Sequence, residues 1–156
     1  MTAHPQVSLW ILVVASATLV WVALTDFREF RIRNELVLVL AGLYFVYAFV
    51  AGRWMSIPWN VGFALLMLAG MTYVYSLQKM GGGDLKLLAV AFLWTGPWAV
   101  LPFAVLLVIC TTLHYAAVRL GWAIAERTPL GLRIPLAPAV AGALIGTFAL
   151  GFVGSG

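Results

Sequence analysis

The chain has 156 residues, of which 64% are hydrophobic and only 9% charged, and its mean hydropathy is +1.06. That composition excludes an ordinary soluble enzyme and points to a membrane protein. A net charge of +4 with a pI near 9.6 would suggest nucleic acid in a soluble domain, but in a membrane chain basic residues mark the loops kept in the cytoplasm, so no nucleic-acid partner is expected.

The first apolar run covers about Val7 to Thr25, long enough to cross a hydrocarbon core that takes roughly 20 residues of helix. Ala15, Ser16 and Ala17 resemble a signal-peptide cleavage site. No Lys or Arg precedes the run, however, and it continues to Leu24, so it is expected to stay as a transmembrane helix. Asp26 ends it. Further runs follow at about Leu36 to Ala51 and Ile57 to Leu77. Gly81, Gly82, Gly83 and Asp84 then open a short segment, Leu85 to Thr95, which Gly96 and Pro97 interrupt. From Asp84 to Thr95 a helix rises roughly 18 Å against a core of roughly 30 Å, and such half-helices persist only where their ends are buried in protein or line a wet cavity. Asp84 is expected in a cavity of that kind. Pro97 to Val118 and Ile134 to Val153 complete the series.

The runs are continuous rather than alternating, which excludes an outer-membrane barrel. The expected fold is an all-α, polytopic membrane helix bundle of about six transmembrane helices forming one domain, residues 1–156. Placing Arg28, Arg31 and Arg33 inside also places Lys79, Lys86, Arg119, Arg127 and Arg133 inside, eight of the nine basic residues, and leaves Arg53 outside. Both termini then face the periplasm. Trp54 and Trp59 flank one expected outer loop and Trp94 and Trp98 the other, where indoles favour the interface.

Of the five acids, Glu29, Glu35 and Glu126 lie among arginines and are explained by solvated pairing. Asp26 stands at the negative end of a helix with Arg28 nearby, which is compatible with a solvated helix end. Asp84 after three glycines suits an N-cap. Both fall at cytoplasmic ends of different helices, however, and ionisable groups within membrane segments are functional candidates. Two carboxylates brought together share a proton, so that one activates water while the other protonates a carbonyl oxygen, which is the chemistry of amide hydrolysis. Helix polarity gives the proton to Asp26 and the charge to Asp84.

Other chemistries are poorly supplied. His-Glu-x-x-His is absent, His4 is terminal and His114 has no evident serine. Cys110 and His114 lie one turn apart, where helix packing explains both, and a single cysteine with two histidines provides neither an intrachain disulfide nor a structural zinc site. No metal and no cofactor is expected. The glycines do not match a phosphate loop and read instead as a tight turn with positive φ beside which an extended peptide could lie. Lys86 points away from Asp84 and reads as an interfacial, snorkelling residue.

These residues resemble the prepilin peptidase family. Asp26-Phe-Arg-Glu-Phe-Arg-Ile32-Arg33-Asn34 is similar to its pattern of Asp, six residues and Pro-Asn, with Arg33 in the proline's place, and Gly81-Gly-Gly83-Asp84-Leu-Lys86 is similar to Gly-x-Gly-Asp-x-Lys. Ile134-Pro135-Leu136-Ala137-Pro138 resembles the start of the family's last helix, although a pair of prolines at a helix start is common in itself. The resemblance implies a membrane aspartyl endopeptidase of the bacterial inner membrane with Asp26 and Asp84 catalytic. Gly81, Gly83, Lys86, Asn34 and Pro138 would then form the active-site loops or bind substrate. The substrates implied are the leader-bearing precursors of type IV or Flp-type pilins and related pseudopilins, cleaved at the cytoplasmic face. Only one helix precedes Asp26, which corresponds to the short, peptidase-only form.

Two other readings stay open at this level: a small proton-coupled transporter or channel with the aspartates as relay groups, and a non-catalytic partner in pilus assembly.

Overall fold

A computed structural model describes residues 5–29, 31–77, 81–121, 126–128, 131–133 and 135–153. Lys79, His4, Ile134 and the terminal Gly156 lie outside the described residues.

The continuous apolar runs become helices α1 (Pro5–Glu29), α2 (Asn34–Val50), α3 (Ile57–Ser76), α4 (Gly82–Arg119) and α5 (Ala137–Ala149), with a 3-10 turn, Trp54–Ser56, ahead of α3. The expected all-α bundle is the fold observed. The only strands described are β1 (Glu126–Thr128) and β2 (Gly131–Arg133), an antiparallel pair with Arg127 opposite Leu132 in the connection before α5.

Three of the helices are long and apolar enough to cross a membrane, and α2 and α5 are shorter apolar helices. Leu19, Leu40, Leu87, Phe103, Val140 and Leu144 form the centre of the core. Leu9, Trp10, Leu38, Phe49, Leu66, Leu101, Val108 and Leu113 stand exposed on its outside, an apolar surface that water would not tolerate and lipid covers. The chain is a membrane protein.

The expected fourth and fifth segments are the two arms of α4. Gly96 departs from the helix at φ 56° and ψ −168°, a conformation that favours glycine. A Cβ there would also strike the amide of Asn60, with Asn60 Cγ only 2.6 Å away. Asn60 Nδ2 donates to the Leu93 carbonyl at 3.2 Å, satisfying a backbone group close to the break. The Phe92 and Phe103 rings lie 5.9 Å apart, whereas eleven residues of straight helix would separate them by roughly 16 Å. The arms therefore fold back on each other.

α5 runs antiparallel to the second arm. A Cβ on Gly142 would lie 3.3 Å from Cys110 Sγ, and one on Gly146 would lie 3.2 Å from Leu106 Cδ1. Two small residues four apart let helices approach this closely. At 13 residues, α5 is shorter than the expected Ile134–Val153 segment. Pro135 and Leu136 stay outside it, and a Schellman closure ends it, with Phe152 N–H donating to Thr147 O and Gly151 N–H to Phe148 O.

Trp94 departs from its expected interfacial position. It is fully buried, donates from Nε1 to the Leu40 carbonyl at 3.0 Å and packs on Tyr44, Tyr47 and Phe148. The carbonyl gives the indole N–H a partner inside the bundle, so the ring can be buried without losing a hydrogen bond. Trp54, Trp59 and Trp98 remain exposed.

Candidate active site

Asp26 lies near the end of α1 and is 5% exposed. Its Oδ2 accepts a hydrogen bond of 3.1 Å from the backbone N–H of Ala137, the first residue of α5. Leu136 offers no side-chain cap to that helix. The carboxylate of α1 thus supplies an acceptor to a helix start 111 residues away in sequence. Pro138, the next residue, is half-buried in the first turn, where a missing N–H costs nothing. His114 lies on the second arm of α4 with its ring edge-on to Phe27 at 6.1 Å. It is close enough to Asp26 to interact with it electrostatically.

Asp84 is half-buried in the first turn of α4. The expected N-cap role is not observed: Gly82 and Gly83 join the helix, the cap position falls to Gly81, and Asp84 sits three residues inside. Gly81 is extended at φ −74° and ψ 144°, and its carbonyl accepts from Leu85 N–H at 3.1 Å. None of the three glycines has the positive φ expected of a tight turn. Gly83 has a different requirement: a Cβ there would lie 3.1 Å from Ile32 Cβ, a branched carbon attached to backbone that cannot swing aside.

The segment after Asp26 therefore packs on the segment around Asp84. A second link joins them, because Lys86 Nζ donates to Asn34 Oδ1 at 3.0 Å. Lys86 is exposed, but it is a tie between α4 and the start of α2 rather than a solitary snorkelling charge. Arg33 takes φ −74° and ψ 129° just before α2, close to the φ that a proline ring imposes. Its guanidinium meets Glu35 at 3.3 Å in an exposed pair.

Both aspartates thus lie at one end of the bundle: Asp26 is bonded to Ala137 at the start of α5, and Gly83 and Lys86, which flank Asp84, meet Ile32 in the α1–α2 connection and Asn34 at the start of α2. Arg28, Arg31, Arg33, Lys86 and Arg119 occupy helix ends and the connection on this side, whereas Arg53 follows α2 at the far end. The sequence marks Asp26, Asp84, Gly81, Gly83, Lys86, Asn34 and Pro138 as candidates, whereas Ile32, packed on Gly83, and the Ala137 amide, bonded to Asp26, join them only through the fold. Ile32 is an unremarkable apolar residue, and no sequence pattern marks a single backbone N–H.

The arrangement defines a membrane-embedded helix bundle with two acids gathered at one end, each on a different helix. The family model for the type IV leader peptidase family matches residues 13–117, a span that includes both aspartates, the glycines, Asn34 and Lys86. The chain belongs to that family and is a peptidase of the leader-processing type. The match stops before α5, so the Pro138 motif lies beyond it. No curated protein matches the chain, and no solved structure does.

Proposed function

We propose that the chain is an aspartyl endopeptidase, formed as one membrane-embedded domain, which removes the leader from type IV or Flp-type prepilins and related pseudopilins. Asp26 and Asp84 are its catalytic pair. A shared proton lets one carboxylate draw a proton from water as it attacks the scissile carbonyl, while the other protonates the developing oxyanion; the first then passes the proton taken from water to the leaving amine as the second takes one back from the collapsing gem-diol, which restores the pair. Gly81, Gly83, Lys86, Asn34 and Pro138 shape the surrounding loops. The protein sits in the bacterial inner membrane with this end toward the cytoplasm, where basic loops are retained, and the half-buried Asp84 faces a wet recess at that surface.

The observation that carries this reading is the convergence of two separate acidic motifs at one end of the bundle, with Ile32 packed on Gly83 and Asn34 tied to Lys86. A proton-relay transporter would instead need acids distributed through the depth of the membrane. To test the reading, purified protein is incubated with a pilin precursor and the new N-terminus is sequenced. One cut at the leader junction is expected, and an intact precursor under conditions that keep the bundle folded would refute the assignment.

A further inference from the structure

His114, half-buried on the second arm of α4, is a titratable side chain that the proposed reaction does not use. Its Nε2 is fully enclosed and has no hydrogen-bond partner. Buried polar atoms are nearly always paired, so an enclosed ring nitrogen without a partner, beside a pair of acids, calls for a role there.

Packing fixes where that nitrogen lies. Along the antiparallel pair of α5 and the second arm of α4, Gly146 meets Leu106 and Gly142 meets Cys110. One further turn in the same register sets His114 level with Pro138, in the first turn of α5. Next to Pro138 is Ala137, whose N–H holds Asp26 Oδ2. From α1, Phe27, the residue after Asp26, meets the imidazole in a T-shaped contact at 6.1 Å. Two separate helices thus bring His114 against Asp26, in agreement with the electrostatic interaction between them.

The surroundings single out that carboxylate. The amides opening α5 are committed, Ala137 N–H to Asp26 and the Ala139 and Val140 N–H groups to the Leu136 carbonyl, while Pro138 has none. α5 carries no titratable side chain. On α1, Arg28 and Glu29 are exposed, as are Tyr115 and Arg119 on α4, and Cys110 lies one turn away against Gly142. Among the described residues Asp26 is the one buried acid, and a carboxylate accepts from several donors at once.

We propose that His114 is a positioning residue for Asp26: its Nε2–H is directed at that carboxylate beside the Ala137 N–H and makes Asp26 the charged member of the pair. The inference rests on the aspartyl endopeptidase reading of the same site and divides its two roles. Donors aimed at a carboxylate favour its ionised form, the more so in a low-dielectric interior, and long contacts of this kind tighten when substrate engages. Asp26 then opens the cycle as the base that takes the proton from water, and Asp84 as the acid that protonates the carbonyl oxygen, with the later transfers restoring both.

Two substitutions in the full chain separate this role from packing. His114→Phe keeps a ring against Phe27 and removes the donor, whereas His114→Gln loses the ring and keeps an N–H donor near the place of Nε2. In single-turnover cleavage of a pilin precursor the Phe variant should be slower by about tenfold, the effect of one hydrogen bond to a charged group, and the Gln variant should stay within about threefold of the parent. A side chain that only fills space would give the opposite order. Infrared spectra read the same contact without substrate. In Asp84→Asn, where Asp26 is the lone acid of the pair, adding His114→Phe should raise the protonated carboxyl band at mildly acidic pH about fivefold, and adding His114→Gln should raise it less than about twofold. The Asp84 band in Asp26→Asn should respond to neither. A Phe variant that cuts within about twofold of the parent, a Gln variant as slow as the Phe variant, or an Asp26 band indifferent to His114→Phe overturns the positioning role. A parent that cuts no precursor refutes the endopeptidase reading instead, and the infrared band then decides by itself whether His114 acts on Asp26.

Discussion

Asp26 Oδ2 and the backbone N–H of Ala137 are joined at 3.1 Å, so the carboxylate proposed for catalysis also anchors the start of the last helix. Standing at the end of α1, Asp26 was expected to hold the shared proton because the negative end of a helix disfavours charge. It also faces the positive start of α5, as Asp84 faces that of α4, so helix polarity no longer separates their roles.

Substitution of Asp26 should therefore separate anchoring from chemistry. Asp26→Asn keeps an oxygen for the Ala137 N–H and should unfold close to the parent, whereas Asp26→Ala leaves a buried donor unsatisfied and should cost about 1–3 kcal/mol. Both should lack cleavage. Thermal unfolding in detergent checks this, and equal stability of Asn and Ala variants would show that the anchor contributes nothing.

The contact between Gly83 and Ile32 predicts a contrast between two substitutions. Gly83→Ala places a methyl 3.1 Å from Ile32 Cβ and should lower leader cleavage by at least about tenfold, the effect of roughly 1.4 kcal/mol. Arg33→Pro fits the φ of −74° already present and loses only an exposed ion pair worth at most about 1 kcal/mol. Its activity should stay near that of the parent. Comparable losses in kcat/KM for both variants would remove the packing of these two segments as a cause.

The placement of charge predicts that the two ends of the bundle lie on opposite sides of the membrane. In a Cys110→Ser background, cysteines introduced at Arg31 and at Arg53 should label from the cytoplasmic and periplasmic sides respectively. Labelling of both from the same side would contradict the proposed orientation.

The parts of the fold legible in the sequence were those set by local physics. Continuous apolar runs gave helices, Gly96 and Pro97 marked the break in α4, and the two acids at ends of apolar segments indicated where chemistry could gather. Relationships between distant residues were not legible. Trp94 reads as an interfacial indole until Leu40 supplies its buried acceptor, 54 residues away. Asp84 reads as a cap because glycine is a poor helix former, yet Gly82 and Gly83 enter the first turn, and at Gly83 Ile32 crowds the place of a side chain. Likewise Lys86 reads as a solitary charge until the start of α2 places Asn34 beside it.

The central claim is that Asp26 and Asp84 act together on the peptide bond. Its most direct test is single-turnover cleavage of a purified pilin precursor by the parent and by Asp26→Asn and Asp84→Asn, each first shown to be inserted and folded. Each variant should lose activity by at least about a thousandfold, because neither acid can replace a proton-sharing pair alone. Cleavage by either folded variant at a rate near that of the parent would contradict the account.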